Sequence, residues 1–233
     1  EIFEKENPDI LLVYGDTNST IAGALAASKL DIPIFHIEAG LRSFNRKQPE
    51  EQNRVLTDHL SYICFAPSDD SVLNLINEGI SKNNIFRTGD ILADAIRLFN
   101  TSNMETRALL KKYCIKEKNF ILCTIHRPEN TEEKVYLSNI FKQLQKSKLP
   151  VIMPLHPRTK YCIEKFNLKN LLTGLNIIDP IGYIEIISLQ KKASLIITDS
   201  GGIQKEAYLQ GTPCITVRKE TEWIELIQKG YNI

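Results

Sequence analysis

Short apolar runs separated by amphipathic stretches recur along the whole chain, and this alternation constrains the fold more than any other property of the sequence. Runs of three to six residues suit strands buried on both faces, and the longer stretches between them suit covering helices. Strands and helices that alternate in this way form parallel sheets, because each crossover returns the chain to the same edge. The predicted class is therefore α/β, with two Rossmann-like doubly wound domains. In the first half, strands are expected at 10–14, 34–37, 63–66 and 85–87, with helices near 19–29, 51–59, 69–78 and 93–99. In the second, strands are expected at 120–125, 151–155, 176–178, 195–198 and 214–217, with helices near 135–146, 159–165, 183–191, 203–210 and 223–229. The polar, lysine-rich stretch 101–118 reads as an interdomain connection, leaving 1–100 as a partial N-terminal domain and 119–233 as a C-terminal domain whose end is missing.

Composition narrows the function classes. At 233 residues with 42% hydrophobic content, the chain can pack one large or two modest domains. A formal net charge of +1 gives no basic field for nucleic acid, and no apolar run is long enough for a membrane span. Cys64, Cys114, Cys123, Cys162 and Cys214 form no C-x-x-C pair. Buried thiols in a reducing cytosol are expected, with neither a disulfide framework nor a metal site. Without an initial methionine, and stopping where a new apolar run starts, the sequence reads as a fragment that would be inactive and poorly soluble alone.

In open α/β sheets ligands bind beyond the carboxyl ends of the strands, and here those ends are polar. Asp199-Ser200-Gly201-Gly202 follows the strand-like Leu195 to Thr198 and precedes a helical stretch. The first amides of such a helix lack partners within it and favour negative charge, so the turn is an anion site able to take a diphosphate. Glu206, one turn on, could accept hydrogen bonds from neighbouring hydroxyls, as on a ribose. The plainer alternative is an ordinary turn with Ser200 as N-cap. Other strand ends carry Gly15-Asp16-Thr17, His36 to Arg42, His126 to Asn130, His156-Pro157-Arg158 and Arg218. Asp16 and Thr17 could instead be helix-capping residues, and His126 and His156 satisfied strand-end histidines. Glu38 has no capping task, whereas Glu50 and Glu51 after Pro49 suit the first turn of a helix.

In order, G-D-T-N-S-T from Gly15, H-I-E-A-G-L-R from His36, P-E-E-Q-N-R from Pro49, H-R-P-E-N from His126, H-P-R-T from His156, D-S-G-G-I-Q-K-E-A from Asp199 and R-K-E-T-E-W from Arg218 resemble the non-hydrolysing UDP-N-acetylglucosamine 2-epimerases over nearly the whole chain. The resemblance implies a GT-B fold with an interdomain cleft. It also implies a cytoplasmic homodimer acting on a UDP-sugar for surface polysaccharide synthesis, with no cofactor. It implies catalytic roles for Asp16, Glu38, Glu50 and His126, raising Glu50 above Glu51. Ser200, Gly201, Gly202 and Glu206 match UDP-binding positions, and Arg218 and Glu222 match positions near the substrate. The motif variants resemble the subgroup that includes epimerases of modified sugars such as UDP-2,3-diacetamido-glucuronic acid. Competing expectations are a GT-B glycosyltransferase, a hydrolysing epimerase releasing free N-acetylmannosamine, and a non-enzymatic nucleotide-sugar sensor.

Overall fold

The computed structural model describes residues 1–99, 103–219, 221, 223, 226–227 and 230–233, with side chains 103 and 104 excepted. Glu222 and most of the helix expected at 223–229 lie outside the described residues. The chain divides into two compact units, Glu1–Ile91 and Leu92–Ile233. Each contains one all-parallel sheet of Rossmann-like type, as the alternation predicts.

The first unit runs α1 (Ile2–Glu6), β1 (Leu11–Tyr14), α2 (Asn18–Ser28), β2 (Ile34–Ile37), α3 (Pro49–Leu60), β3 (Ile63–Ala66), α4 (Asp69–Asn77) and β4 (Ile85–Arg87). Its strands lie side by side in chain order, β1-β2-β3-β4. Helix α2 puts Ala24 and Ala27 against Val13 and Ile34, and small side chains there bring the helix close to the sheet. Ala39, Cys64, Ala66 and Leu75 form a second apolar cluster beneath α4. Gly40 sits at that contact with φ +82°, where a Cβ would press on the Ser71 carbonyl and stand 2.9 Å from Leu75 Cγ. Its glycine is therefore a demand of the fold rather than of a ligand.

The second unit continues with α5 (Ile91–Leu98), α6 (Asn103–Lys112), β5 (Ile121–Thr124), α7 (Pro128–Thr131), α8 (Lys134–Leu144), β6 (Val151–Pro154), α9 (Pro157–Lys165), β7 (Asn176–Ile178), α10 (Tyr183–Lys192), β8 (Leu195–Thr198), α11 (Gly201–Leu209) and β9 (Cys214–Thr216). Strand order is β7-β6-β5-β8-β9, so the order reverses between β5 and β8. Phe120, Leu122 and Ile196 face α6, α10 and α11 through Leu109, Leu110, Leu189 and Ala207. Ile121, Cys123 and Ile125 face the other way, toward Leu137, Phe141 and Ile163 of α8 and α9. This two-residue period builds two cores on one sheet, and full burial of Phe120 and Phe141 contributes about 1.5–3 kcal/mol each. The stretch 101–118 holds α6, which packs on α10. Its apolar content is brief, but Leu109, Leu110 and Ile115 are all buried.

Candidate active site

The β1 and β2 ends of the first unit bring Asp16 and Glu38 together. After β1 the chain turns through Gly15 at φ +60°, and Thr17 caps α2 by accepting from the Thr20 amide at 3.2 Å. Capping thus falls to Thr17, and the Asp16 carboxylate is engaged elsewhere, with Arg54 Nη2 at 2.6 Å. Asn53 on the same helix holds the turn, donating to the Asp16 carbonyl at 2.9 Å and to Asn18 Oδ1 at 3.0 Å. Glu38 adopts φ +72°, a conformation that costs energy for a residue bearing a Cβ and recurs where a side chain must be aimed. A Cβ on Gly15 would lie 3.0 Å from Glu38 Oε2, so Gly15 leaves room for that carboxylate. Burial raises the Glu38 pKa to about 7, with Asp16 and then Asp90 adding to the rise and Arg54 and His36 opposing it. Such a group both holds and releases a proton near neutrality.

The two glutamates that open α3 have different situations. Glu51 is buried, and its carboxylate accepts from the Ser43 and Phe44 amides at 2.8 and 2.9 Å, the Ser43 hydroxyl at 3.1 Å and Arg54 Nη1 at 3.0 Å. These bonds fix the loop that leads into α3. Glu50, at the second position of α3, is half-buried.

In the second unit, Asp199 gathers the strand ends at the point where the sheet order reverses. Its fully buried carboxylate accepts from the amides of His126 at 3.0 Å and Arg127 at 2.9 Å and from Asn130 Nδ2 at 3.0 Å. Asn130 also donates to the Val217 carbonyl at 2.9 Å, tying in the end of β9 just before half-buried Arg218. His126 stacks on His156, ring centroids 5.1 Å apart. Burial lowers the His126 pKa below its ordinary 6.5, helped by His156, Arg127 and Arg158 and opposed by Asp199. A neutral imidazole results at pH 7, a donor of hydrogen bonds rather than a fixed charge. His156 is itself the N-cap of α9, accepting from the Arg158 amide at 3.1 Å.

Ser200 caps α11, accepting from the Ile203 amide at 3.4 Å, so the plain capping role and the glycine turn coexist. Trp223 Nε1 donates to the Gly201 carbonyl at 2.9 Å and pins the turn. Glu206 is buried and accepts from Gln190 Nε2 at 2.6 Å; burial raises its pKa, against the hydrogen bonds of Gln190 and Tyr183. Two of its four lone-pair positions thereby remain for other donors. Sequence reasoning passed over Asp90, Arg54, Gln190 and Tyr183, all of which act on a named carboxylate from a distant stretch of chain. Only Arg54 left a signal, closing the P-E-E-Q-N-R motif. Four cysteines are buried as expected, but Cys114 is exposed at φ +53° because it sits in the turn that ends α6. No helix among the described residues is long and apolar enough to cross a membrane. Among those residues no three His, Cys, Asp or Glu side chains are grouped to hold a metal ion.

Gly202 separates a ligand role from a structural one. A Cβ there would meet only Ser200 Oγ, at 3.9 Å, so the fold leaves that space open. Gly202→Ala is expected to keep or raise stability, by up to about 1 kcal/mol, which thermal melting measures. A melting temperature below that of the wild type would show that the turn cannot accept a Cβ at this position.

Comparison with known proteins supplies the lineage. The profile of the UDP-N-acetylglucosamine 2-epimerase family matches residues 1–233. A Methanococcus maripaludis protein described as a UDP-N-acetylglucosamine 2-epimerase homolog is 50% identical over 240 residues, covering 100% of this chain and 66% of that protein. The UDP-2,3-diacetamido-2,3-dideoxy-D-glucuronate 2-epimerase of Pseudomonas aeruginosa is 47% identical over 238 residues, covering 100% of this chain and 65% of that protein. The crystal structure of Methanocaldococcus jannaschii UDP-GlcNAc 2-epimerase in complex with UDP-GlcNAc and UDP matches with a TM-score of 0.89 at 43% identity, covering 100% of this chain and 66% of that one. The chain thus spans just under two thirds of the length of these relatives. Matched along every residue by the family profile, and alike in fold to a solved member, the chain belongs to the UDP-N-acetylglucosamine 2-epimerase family.

Proposed function

We propose that this chain carries catalytic and nucleotide-binding residues of a non-hydrolysing 2-epimerase that interconverts UDP-GlcNAc and UDP-ManNAc, or the corresponding pair of a modified UDP-2-acetamido sugar. The observation that carries the proposal is Glu38, held beside Asp16 with its pKa raised to about 7. The C2 proton of the sugar is not adjacent to a carbonyl, so direct removal would be very slow. Elimination avoids that difficulty: a carboxylate takes the C2 proton, the C1–O bond breaks with its electron pair leaving on UDP, and a C1–C2 double bond forms. Re-addition of UDP, with a proton delivered to the opposite face of C2, yields the epimer. Both faces therefore need an acid/base group, and Asp16, Glu38 and Glu50 are assigned to this work collectively.

The departing diphosphate calls for fixed positive partial charge. The amides of Gly201 and Gly202 at the start of α11, Ser200, Arg218 and the neutral His126 are assigned to it, with Glu206 on the ribose hydroxyls and Glu222 near the substrate. No redox cofactor or metal enters these steps. The Pseudomonas relative named for a diacetamido-glucuronate sugar keeps the modified substrate alongside UDP-GlcNAc. We take the enzyme to be a cytoplasmic homodimer feeding surface polysaccharide synthesis.

Incubation of the full-length enzyme with UDP-GlcNAc or the diacetamido sugar in D2O tests the reaction. Deuterium should enter C2 while the epimeric UDP-sugar accumulates. Release of free N-acetylmannosamine, or UDP release only when an acceptor is added, would assign hydrolysis or glycosyl transfer instead.

A further inference from the structure

Behind Asp16 and Glu38 lies an ion network, fully buried at Asp58 and His36, that none of the roles above uses. Asp58, on α3, and His36, on β2, are both 0% exposed. Asp58 Oδ1 lies 2.6 Å from His36 Nδ1, while Oδ2 accepts from the Gly40 amide at 3.0 Å and pairs with Arg42 Nη1 at 2.7 Å. Arg42 continues outward to Glu78, with Nε at 2.7 Å from Oε1 and Nη2 at 2.6 Å from Oε2. On the other side, His36 Nε2 lies 2.8 Å from the Gly15 carbonyl. A carbonyl oxygen can only accept, so Nε2 carries a proton and the ring donates to the turn.

The two ends of this network are significant. Gly15 immediately precedes Asp16, and Gly40 stands two residues after Glu38. One aspartate thus reaches the β1 turn through His36 and the β2 turn through the Gly40 amide. Helix α3 also carries Arg54, which holds the Asp16 carboxylate, so Arg54 and Asp58 both act on the Asp16 turn from one rigid element. Taking ions out of water is costly, and a fully buried set persists only when its geometry is well satisfied. A plain packing role would be served as well by apolar side chains, which leave the loops untied.

We infer that Asp58 and His36 are positioning residues, a buried strut that holds the Asp16 and Glu38 loops at a fixed separation for proton transfer at C2. The inference rests on the epimerase reading. Displacing a catalytic group by about 1 Å costs on the order of a hundredfold in rate, the scale expected when the strut is cut. The charged and titratable groups facing Glu38 are Asp16, Asp90, Arg54 and His36, and those around the strut are Arg42, Glu78, Cys64 and His59. His36 opposes the upward shift of Glu38, so replacing it moves the protonation of Glu38 to higher pH.

The test uses the full-length enzyme with His36→Gln, His36→Ala, Asp58→Asn and Asp58→Ala. The alanine variants should lose about a hundredfold in kcat with KM and UDP affinity within about threefold. Gln can still donate to the Gly15 carbonyl, and Asn can still bond His36, so each should recover at least about tenfold over its alanine partner. In His36→Gln the acid limb of the kcat profile should move upward in pH. Wild-type kcat and an unmoved pH profile in folded variants would overturn the inference. So would a kcat loss with neither the conservative rescue nor the moved limb, which marks a merely structural pair. Should the variants unfold, amide exchange in the wild-type protein decides: Gly15, Ala39 and Gly40 should open together, and independent opening of Gly15 would count against the strut. Absence of C2 exchange in the wild-type enzyme would strike the epimerase reading itself, a result distinct from any of these.

Discussion

Glu38→Gln is expected to abolish C2 exchange and, at the same time, to stabilise the first unit at alkaline pH. On the proposed mechanism, loss of this carboxylate should cost at least about 10²–10⁴ in rate, while UDP affinity stays within about tenfold because the residues proposed to hold the nucleotide belong to the other unit. The stability effect follows from the raised pKa. Glu38 titrates near 4.5 in the unfolded chain and at about 7 in the folded one. Between those values the folded state binds more protons, so stability falls as pH rises. The carboxylate therefore imposes little penalty below pH 4.5 and its full penalty above pH 7, on the order of 3 kcal/mol. Gln removes the penalty, so the variant should match the wild type near pH 4.5 and exceed it at pH 8. Melting curves at the two pH values measure this, and an equal effect at both would mean that Glu38 is not held in a destabilising site. The same shift places the acid limb of kcat/KM near pH 7 when Glu38 acts as the base.

Asp199→Ala is expected to be the most damaging single change in the second unit. Its buried carboxylate is the partner of the His126 and Arg127 backbone amides in the turn after β5 and of the Asn130 side-chain amide in α7. Truncation leaves those donors unpaired around a hole, at a cost of about 3–5 kcal/mol against a typical total of 5–15. Asp199→Asn should lose less, since one oxygen still accepts. Trp223 is the sole tryptophan, and its indole is bonded to the Gly201 carbonyl, so its fluorescence reports unfolding of this unit. A fall in the urea midpoint of roughly 2 M is expected for the alanine variant. On the proposed reading UDP binding should weaken as well, because the turn bearing His126 keeps only the Arg127 Nε bond to the Asp199 carbonyl. A midpoint within about 0.3 M of the wild type would show that the loop holds itself without Asp199.

The sheets were the most legible part of the chain. Nine strands among the described residues fall within a residue or two of the expected runs, because each is a short apolar run between polar turns, whether buried on both faces like β5 or partly exposed like β1 and β4. Helix α6 was harder to see, since a helix that touches the sheet through Leu109 and Leu110 needs little apolar pattern. At the site, the motifs pointed to Asp16, Glu38 and the glycine turn because each follows a strand directly. Asp90, Arg54, Gln190 and Tyr183 carry no comparable mark, because their effect depends on which chain segments are brought beside them.

Sequence alone determined the α/β class, the strand ends as the place for chemistry, and the family resemblance, since periodicity and motif order are properties of a linear chain. Tertiary structure decided what each polar residue does. It gave the cap to Thr17 and left Asp16 to Arg54, committed Glu51 to a loop, and made Asp199 a clasp. It also surrounded Glu38 with burial and like charge. Hydrogen bonds and pKa values depend on distances between side chains, and residues 22 apart in sequence, such as His36 and Asp58, acquire such a distance only when the chain folds.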